Sequence, residues 1–126
     1  MNIDFANLQL QYQKYKVDID ASIHSVLNKS NYIMGEEVHE LERALEGFTG
    51  AKHAIACSSG TDALLLAMMA MDIQPDDEII TTPFTFIATA EAIALMKAKP
   101  VFVDIEPDTF NIDANLIEAA ITDKTK

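Results

Sequence analysis

Cys57-Ser58-Ser59-Gly60-Thr61-Asp62-Ala63-Leu64 is the stretch from which the fold is read. A short apolar run, His53-Ala54-Ile55-Ala56-Cys57, stops there at small polar residues, and a helical pattern begins. A strand that runs into a helix start makes an anion site. The first-turn amides of a helix have no partner within it, and the aligned peptide dipoles put about half a positive charge at that end, so a phosphate is stabilised without lysine or arginine. Gly60 lets the backbone come close to a ligand, and Ser58, Ser59 and Thr61 add hydroxyl donors. The same residues serve a plainer purpose equally well, with Ser59 capping the helix and Gly60 making the turn. Taken alone, the stretch leaves both open.

Working outward, residues 64–71 are apolar all round, Leu64-Leu65-Leu66-Ala67-Met68-Met69-Ala70-Met71, which predicts a helix covered on most sides by a sheet and something else. Gln74-Pro75-Asp76-Asp77 is turn chemistry, residues 78–82 form a second strand ending at Pro83, and residues 85–96 return to a helical pattern. Residues 100–105 are a third strand, and Asp113 caps a helix bearing Leu116, Ile117, Ala120 and Ile121. Upstream, Tyr12, Tyr15, Ile19, Ile23, Val26 and Leu27 share one helical stripe, which predicts a helix from Tyr12 to about Asn28. Glu36 and Glu37 open another, with Val38, Leu41, Leu45 and Phe48 inward and an acidic, solvated outer face, ended by Gly47 and Gly50. Three strands separated by helices, with no hairpin signal, imply right-handed crossovers and a mostly parallel sheet with helices on both faces, an α/β fold. Ligands of such sheets collect beyond the carboxyl ends of the strands, where residues 58–62 and 82–86 both fall.

With 126 residues, 49% of them hydrophobic, the chain has material for one compact domain or part of one. A net charge of −11, and nine basic residues of which only Arg43 is an arginine, speak against a nucleic-acid surface or an anionic-membrane anchor. The one cysteine, Cys57, excludes an intrachain disulfide and fits a reducing compartment. Residues 1–30 carry Asp4, Asp18 and Asp20 and no unbroken apolar run, so no leader or membrane span is expected and the cytoplasm is the expected location. His24, His39 and His53 are scattered without metal-ligand spacing, no Gly-x-Gly-x-x-Gly follows a strand, and no Gly-x-Ser-x-Gly elbow holds Ser58 or Ser59. What remains is phosphate plus aromatic. Phe84 and Phe86 follow the second strand at the same sheet edge, where core filling is one role and stacking on a flat heteroaromatic ring another. Beside a phosphate turn, the pair suggests pyridoxal 5′-phosphate (PLP).

Four stretches in order carry a resemblance. Residues 58–64, Asp77-Glu78-Ile79-Ile80-Thr81-Thr82-Pro83 through Phe86-Ile87-Ala88-Thr89-Ala90, Pro100-Val101-Phe102-Val103-Asp104-Ile105, and Ile121-Thr122-Asp123-Lys124-Thr125-Lys126 are together similar to the DegT/DnrJ/EryC1/StrS family, from about Asn2 onward. These are PLP-dependent nucleotide-sugar aminotransferases of fold type I. The resemblance implies the amino-terminal portion of one PLP-binding domain. Residues 1–35 would be a helix and the loop through which substrate enters, and 36–126 the start of the cofactor-binding α/β part. Gly60 and Thr61, with Ser59 and Asp62 in the same motif, would bind cofactor, and Phe86 takes the position of the ring-stacking aromatic. Ser30-Asn31-Tyr32-Ile33-Met34-Gly35 resembles the loop of members acting on UDP-linked 3-keto sugars, where Ser30 and Tyr32 would touch substrate.

The implied activity is transfer of an amino group from glutamate to a nucleotide-linked keto sugar, by a ping-pong scheme, in polysaccharide or deoxyamino-sugar synthesis. The implied assembly is a homodimer. Related members use the cofactor for dehydration instead, and a truncated binding or dimerisation piece is a third alternative. The family's cofactor-linked lysine and ring-nitrogen aspartate are expected beyond residue 126, so no lysine here is assigned a catalytic role, and the chain is expected to be an amino-terminal fragment that does not fold alone. Two residues depart from the pattern: Lys97 and Asp76 each stand where the family usually has glycine.

Overall fold

A computed structural model of the chain describes residues 5–126; Asn2, where the resemblance begins, and Asp4 lie outside the described residues. The chain divides into two compact units, one reaching to Ala56 and the other running from Cys57 to Lys126.

In the first unit, helix α1 spans Leu8–Lys29, four residues longer at its start than the stripe from Tyr12 predicts. The reason is a cap: the Asn7 side chain accepts the Leu10 amide at 2.8 Å and starts the helix early. The helix ends at Ser30, whose left-handed backbone (φ 53°) turns its amide back onto the carbonyls of Val26 and Leu27. Helix α2 spans Glu36–Thr49, with Glu36 and Glu37 in its first turn, and stops at Gly50 (φ 74°). The expected strand over residues 53–57 does not form. A strand exists only through a neighbour's ladder. Here the amides of Ala54 and Ala56 donate instead to the carboxylates of Glu46 (3.0 Å) and Glu42 (2.9 Å), one turn apart on α2.

The second unit contains α3 (Gly60–Ala70), β1 (Glu78–Thr81), α4 (Ala88–Leu95), β2 (Lys99–Phe102) and α5 (Ala114–Ala120). The strands pair in parallel, Glu78 opposite Lys99 through Thr81 opposite Phe102, so the α/β class holds with a two-stranded parallel sheet among the described residues. Helix α4 packs against both strands and against α3. It can do so because its contact face is small: Ala92 is wholly buried (0% exposed) and Ile93 nearly so (3%), joined by Met68, Ile73 and Ala98. Cover over α3 is one-sided. Met68 is buried, while Leu66 and Met69 face outward.

Glu78 ties the end of the chain to the sheet. Its buried carboxylate (7% exposed) accepts from the Lys99 ammonium at 2.8 Å and the Thr122 hydroxyl at 2.6 Å. Its amide donates to the Lys124 carbonyl (2.8 Å), its carbonyl accepts the Lys126 amide (3.1 Å), and Thr125 bridges to it in parallel. The Lys99 ammonium first, and Thr122 second, hold the Glu78 carboxyl below the usual carboxylate range. Lys97 and Asp76, the two positions where the family pattern has glycine, both adopt left-handed backbone (φ 60° and 71°). They form one turn pair, the Asp76 amide donating to the Lys97 carbonyl at 3.0 Å. Left-handed backbone of this kind favours glycine on steric grounds.

Candidate functional site

The start of α3 is built by three short side chains. Ser59 is the N-cap, with extended backbone (φ −160°, ψ 165°), and its Oγ accepts the Asp62 amide at 3.1 Å. In return its hydroxyl donates to Asp62 Oδ2 at 2.9 Å, and the Ser58 hydroxyl donates to the same oxygen. These two hydroxyls, Ser58 first, keep the Asp62 carboxyl below its ordinary range, so it is ionised at neutral pH. Each hydroxyl has one proton to give. With both directed at Asp62, the donors left for an incoming anion are others.

Those donors are the amides of Gly60 and Thr61 and the Thr61 hydroxyl. The first backbone bond of α3 is Ala63 N–H to the Ser59 carbonyl at 3.0 Å, so both amides precede the ladder, and among the described residues they have no acceptor. The space over Gly60 is open: a Cβ placed there would meet nothing within 4 Å. Two amides without acceptors, a helix dipole and uncrowded space fit a phosphate. On the side of Thr61 toward α4, a cavity of about 440 Å³ is lined also by Glu91, Ala94 and Leu95. The Glu91 carboxylate makes that side poor for an anion.

Phe86 lies in the connection between β1 and α4, at the carboxyl end of β1 and 76% exposed. Its carbonyl accepts the Thr89 amide at 3.1 Å, and Thr85 and Thr89 hydroxyls meet at 3.2 Å, so the loop is fastened to the first turn of α4 while the Phe86 ring stays uncovered. Phe84 behaves differently. It stacks on Phe110, with ring centroids 5.6 Å apart and planes inclined by 28°. Sequence reasoning passed over Phe110, because an aromatic in a loop carries no periodic signal.

Ser30 and Tyr32 belong to the first unit, where the turn between α1 and α2 brings them together: the Tyr32 hydroxyl reaches Ser30 Oγ and the Leu27 carbonyl, each at 3.5 Å. Ser30 Oγ itself donates to the Leu27 carbonyl at 3.2 Å. The turn is tightly specified. Met34 is left-handed (φ 49°), Gly35 has no room for a Cβ, which would lie 2.8 Å from the Asn31 carbonyl oxygen, and Lys29 pairs with Glu37 across the turn at 2.8 Å. No group of three or more His, Cys, Asp or Glu side chains able to hold a metal ion occurs among the described residues. No helix among them is long and apolar enough to cross a membrane.

Comparison with known proteins identifies this parallel α/β unit as part of a fold-type I aminotransferase. The DegT/DnrJ/EryC1/StrS aminotransferase family matches residues 13–126, and the chain belongs to it. It is 52% identical, over 98% of its length and 34% of the relative's, to the UDP-2-acetamido-2-deoxy-3-oxo-D-glucuronate aminotransferase of Pseudomonas aeruginosa. A crystal structure of a DegT DnrJ EryC1 StrS aminotransferase from Brucella abortus superposes with a TM-score of 0.92 at 41% identity, over 95% of this chain and 32% of that one. NtdA from Bacillus subtilis, with bound cofactor PMP, superposes with a TM-score of 0.86 at 35% identity, over 90% of this chain and 26% of that one. The chain spans about a third of the length of the curated relatives it matches.

Proposed function

We propose that the protein carrying this chain is a PLP-dependent transaminase that moves the amino group of glutamate onto the ketone of a UDP-linked 3-keto sugar. The observation that carries this is the pair of partnerless amides at Gly60 and Thr61, with open space over Gly60, in a chain of this aminotransferase family. In this proposal the two amides and the Thr61 hydroxyl hold the cofactor phosphate, and Ser59 and Asp62 shape the helix start that presents them. Phe86 offers its exposed face to the pyridine ring. Ser30 and Tyr32 contact the sugar nucleotide. When bound, PLP supplies the electron sink and the exchangeable nitrogen carrier that a side chain cannot provide. The choice of a 3-keto, UDP-linked substrate rests on the relative from Pseudomonas aeruginosa, whose substrate is a 3-oxo-glucuronate.

The overall change balances: glutamate loses its amino group and becomes 2-oxoglutarate, while the sugar ketone becomes an amine. We place the protein in a reducing compartment, the cytoplasm, which suits a single exposed thiol, and as a homodimer. The test is nitrogen transfer. The complete protein is incubated with PLP, ¹⁵N-glutamate and a UDP-linked 3-keto sugar, and the nucleotide sugar is weighed by mass spectrometry. Label in the sugar supports the proposal. A sugar that has lost water and gained no label would assign dehydration instead, and unchanged sugar across UDP-linked 3-keto substrates would refute it.

A further inference from the structure

We propose that Phe110 is a positioning residue for the ring-stacking loop: by stacking on Phe84 it holds residues 83–87 on the course that presents Phe86. This rests on the assignment of Phe86 to the cofactor ring. Strands β1 and β2 are parallel, so the segments that follow them, 82–87 and 103–113, leave the same edge of the sheet. The contact of Phe84 with Phe110 bridges the two.

The segment after β2 is built to deliver that ring. It doubles back on itself, with the Asp113 amide on the Asp104 carbonyl (2.9 Å), the Glu106 amide on the Asn111 carbonyl (2.9 Å), and an antiparallel bridge between Ile105 and Ile112. At its tip the Phe110 amide donates to the Glu106 carbonyl at 2.9 Å, and the Thr109 hydroxyl donates to the Glu106 carboxylate at 2.9 Å. Phe110 takes a left-handed backbone (φ 59°), which is unfavourable for a bulky side chain and is kept here where it aims the ring at Phe84. The stack is not core packing, since Phe84 and Phe110 are 62% and 58% exposed. On the receiving side, the Phe84 amide donates to Thr82 Oγ1 at 3.2 Å, and two residues on the chain is fastened to α4 through the Phe86 carbonyl. Between these two fixed points the loop is restrained by the contact of the Thr85 and Thr89 hydroxyls at 3.2 Å and by the aromatic contact.

The test uses the complete protein and three variants, Phe110→Ala, Phe110→Gly and Phe110→Tyr. Glycine removes the ring while suiting the left-handed backbone, so that variant is expected to keep its fold even if alanine does not. Two quantities are read: the dissociation constant for PLP, by titration of its visible absorbance, and amide hydrogen exchange of residues 84–87 in the cofactor-free protein. An exposed aromatic pair sets the expected size: PLP binds about three- to tenfold more weakly to Phe110→Gly and Phe110→Ala, and within about twofold of wild type to Phe110→Tyr. Exchange at residues 84–87 quickens in the first two variants and is restored in the third. PLP affinity unchanged in both ring-less variants overturns the inference and leaves the proposed function standing, whatever exchange does. A wild-type protein that takes up no PLP overturns the proposed function, and this inference falls with it.

Discussion

Replacing Gly60 by proline removes one amide from the start of α3 and very little else. Gly60 is the first residue of the helix, the position where proline is best tolerated because its missing N–H has no helical partner there. The residue before it, Ser59, is already extended (φ −160°, ψ 165°), as a residue preceding proline must be. The helix should therefore persist, with an unchanged melting temperature. A hydrogen bond to a charged group contributes about 1.5–3 kcal/mol, so loss of the Gly60 amide weakens PLP binding by about 10- to 150-fold. Gly60→Ala is the control for added bulk. It keeps the N–H, and its Cβ meets nothing within 4 Å. Titration of PLP absorbance on the complete protein gives both constants. A proline variant that binds PLP as tightly as the alanine variant would refute the assignment of the Gly60 amide to the phosphate.

The turn pair of Lys97 and Asp76 predicts an easy gain in stability. Left-handed backbone costs a residue with a side chain about 1–2 kcal/mol, and glycine's extra freedom in the unfolded chain offsets about 0.4–1 kcal/mol of that, so Lys97→Gly should stabilise by about 0.5–1 kcal/mol in denaturant melts. Asp76→Gly should gain less, because aspartate tolerates that conformation better. Ile93→Ala empties the core between α3, α4 and the sheet and should cost about 2–5 kcal/mol by the same measurement. Glu78 predicts a pH dependence: its folded pKa lies below the unfolded value, so its ionised form stabilises the fold above the unfolded pKa, and that contribution is lost as pH falls through the folded pKa. The melting temperature of Glu78→Gln should lie below that of wild type at neutral pH and converge with it in acid; a constant gap would contradict the ion pair with Lys99.

Helices α1 and α2 were legible because their apolar period is carried by each helix alone. Asn7 shows the limit, since a cap lying outside the apolar stripe moved the start of α1 from Tyr12 to Leu8. Both parallel strands were found where an apolar run met turn chemistry. Residues 53–57 have the same local character, yet a strand is a property of two segments, and the acceptors that took up their amides were the side chains of Glu42 and Glu46. The strand pattern over residues 78–82 says nothing of the burial of Glu78, which the register that sets it opposite Lys99 discloses. At the start of α3 the two uses visible in the sequence are divided between residues. Ser59 and Asp62 carry the capping, and the amides of Gly60 and Thr61 have no acceptor among the described residues. Phe110 reaches Phe84 through a left-handed turn that no spacing rule anticipates.

The most direct test of the account is the crystal structure of the complete protein loaded with PLP. The phosphate is predicted to lie in front of α3, with its oxygens at hydrogen-bond distance, roughly 2.7–3.2 Å, from the amide nitrogens of Gly60 and Thr61, and with the pyridine ring against Phe86. A cofactor phosphate bound elsewhere, with those two amides facing only water, would contradict it.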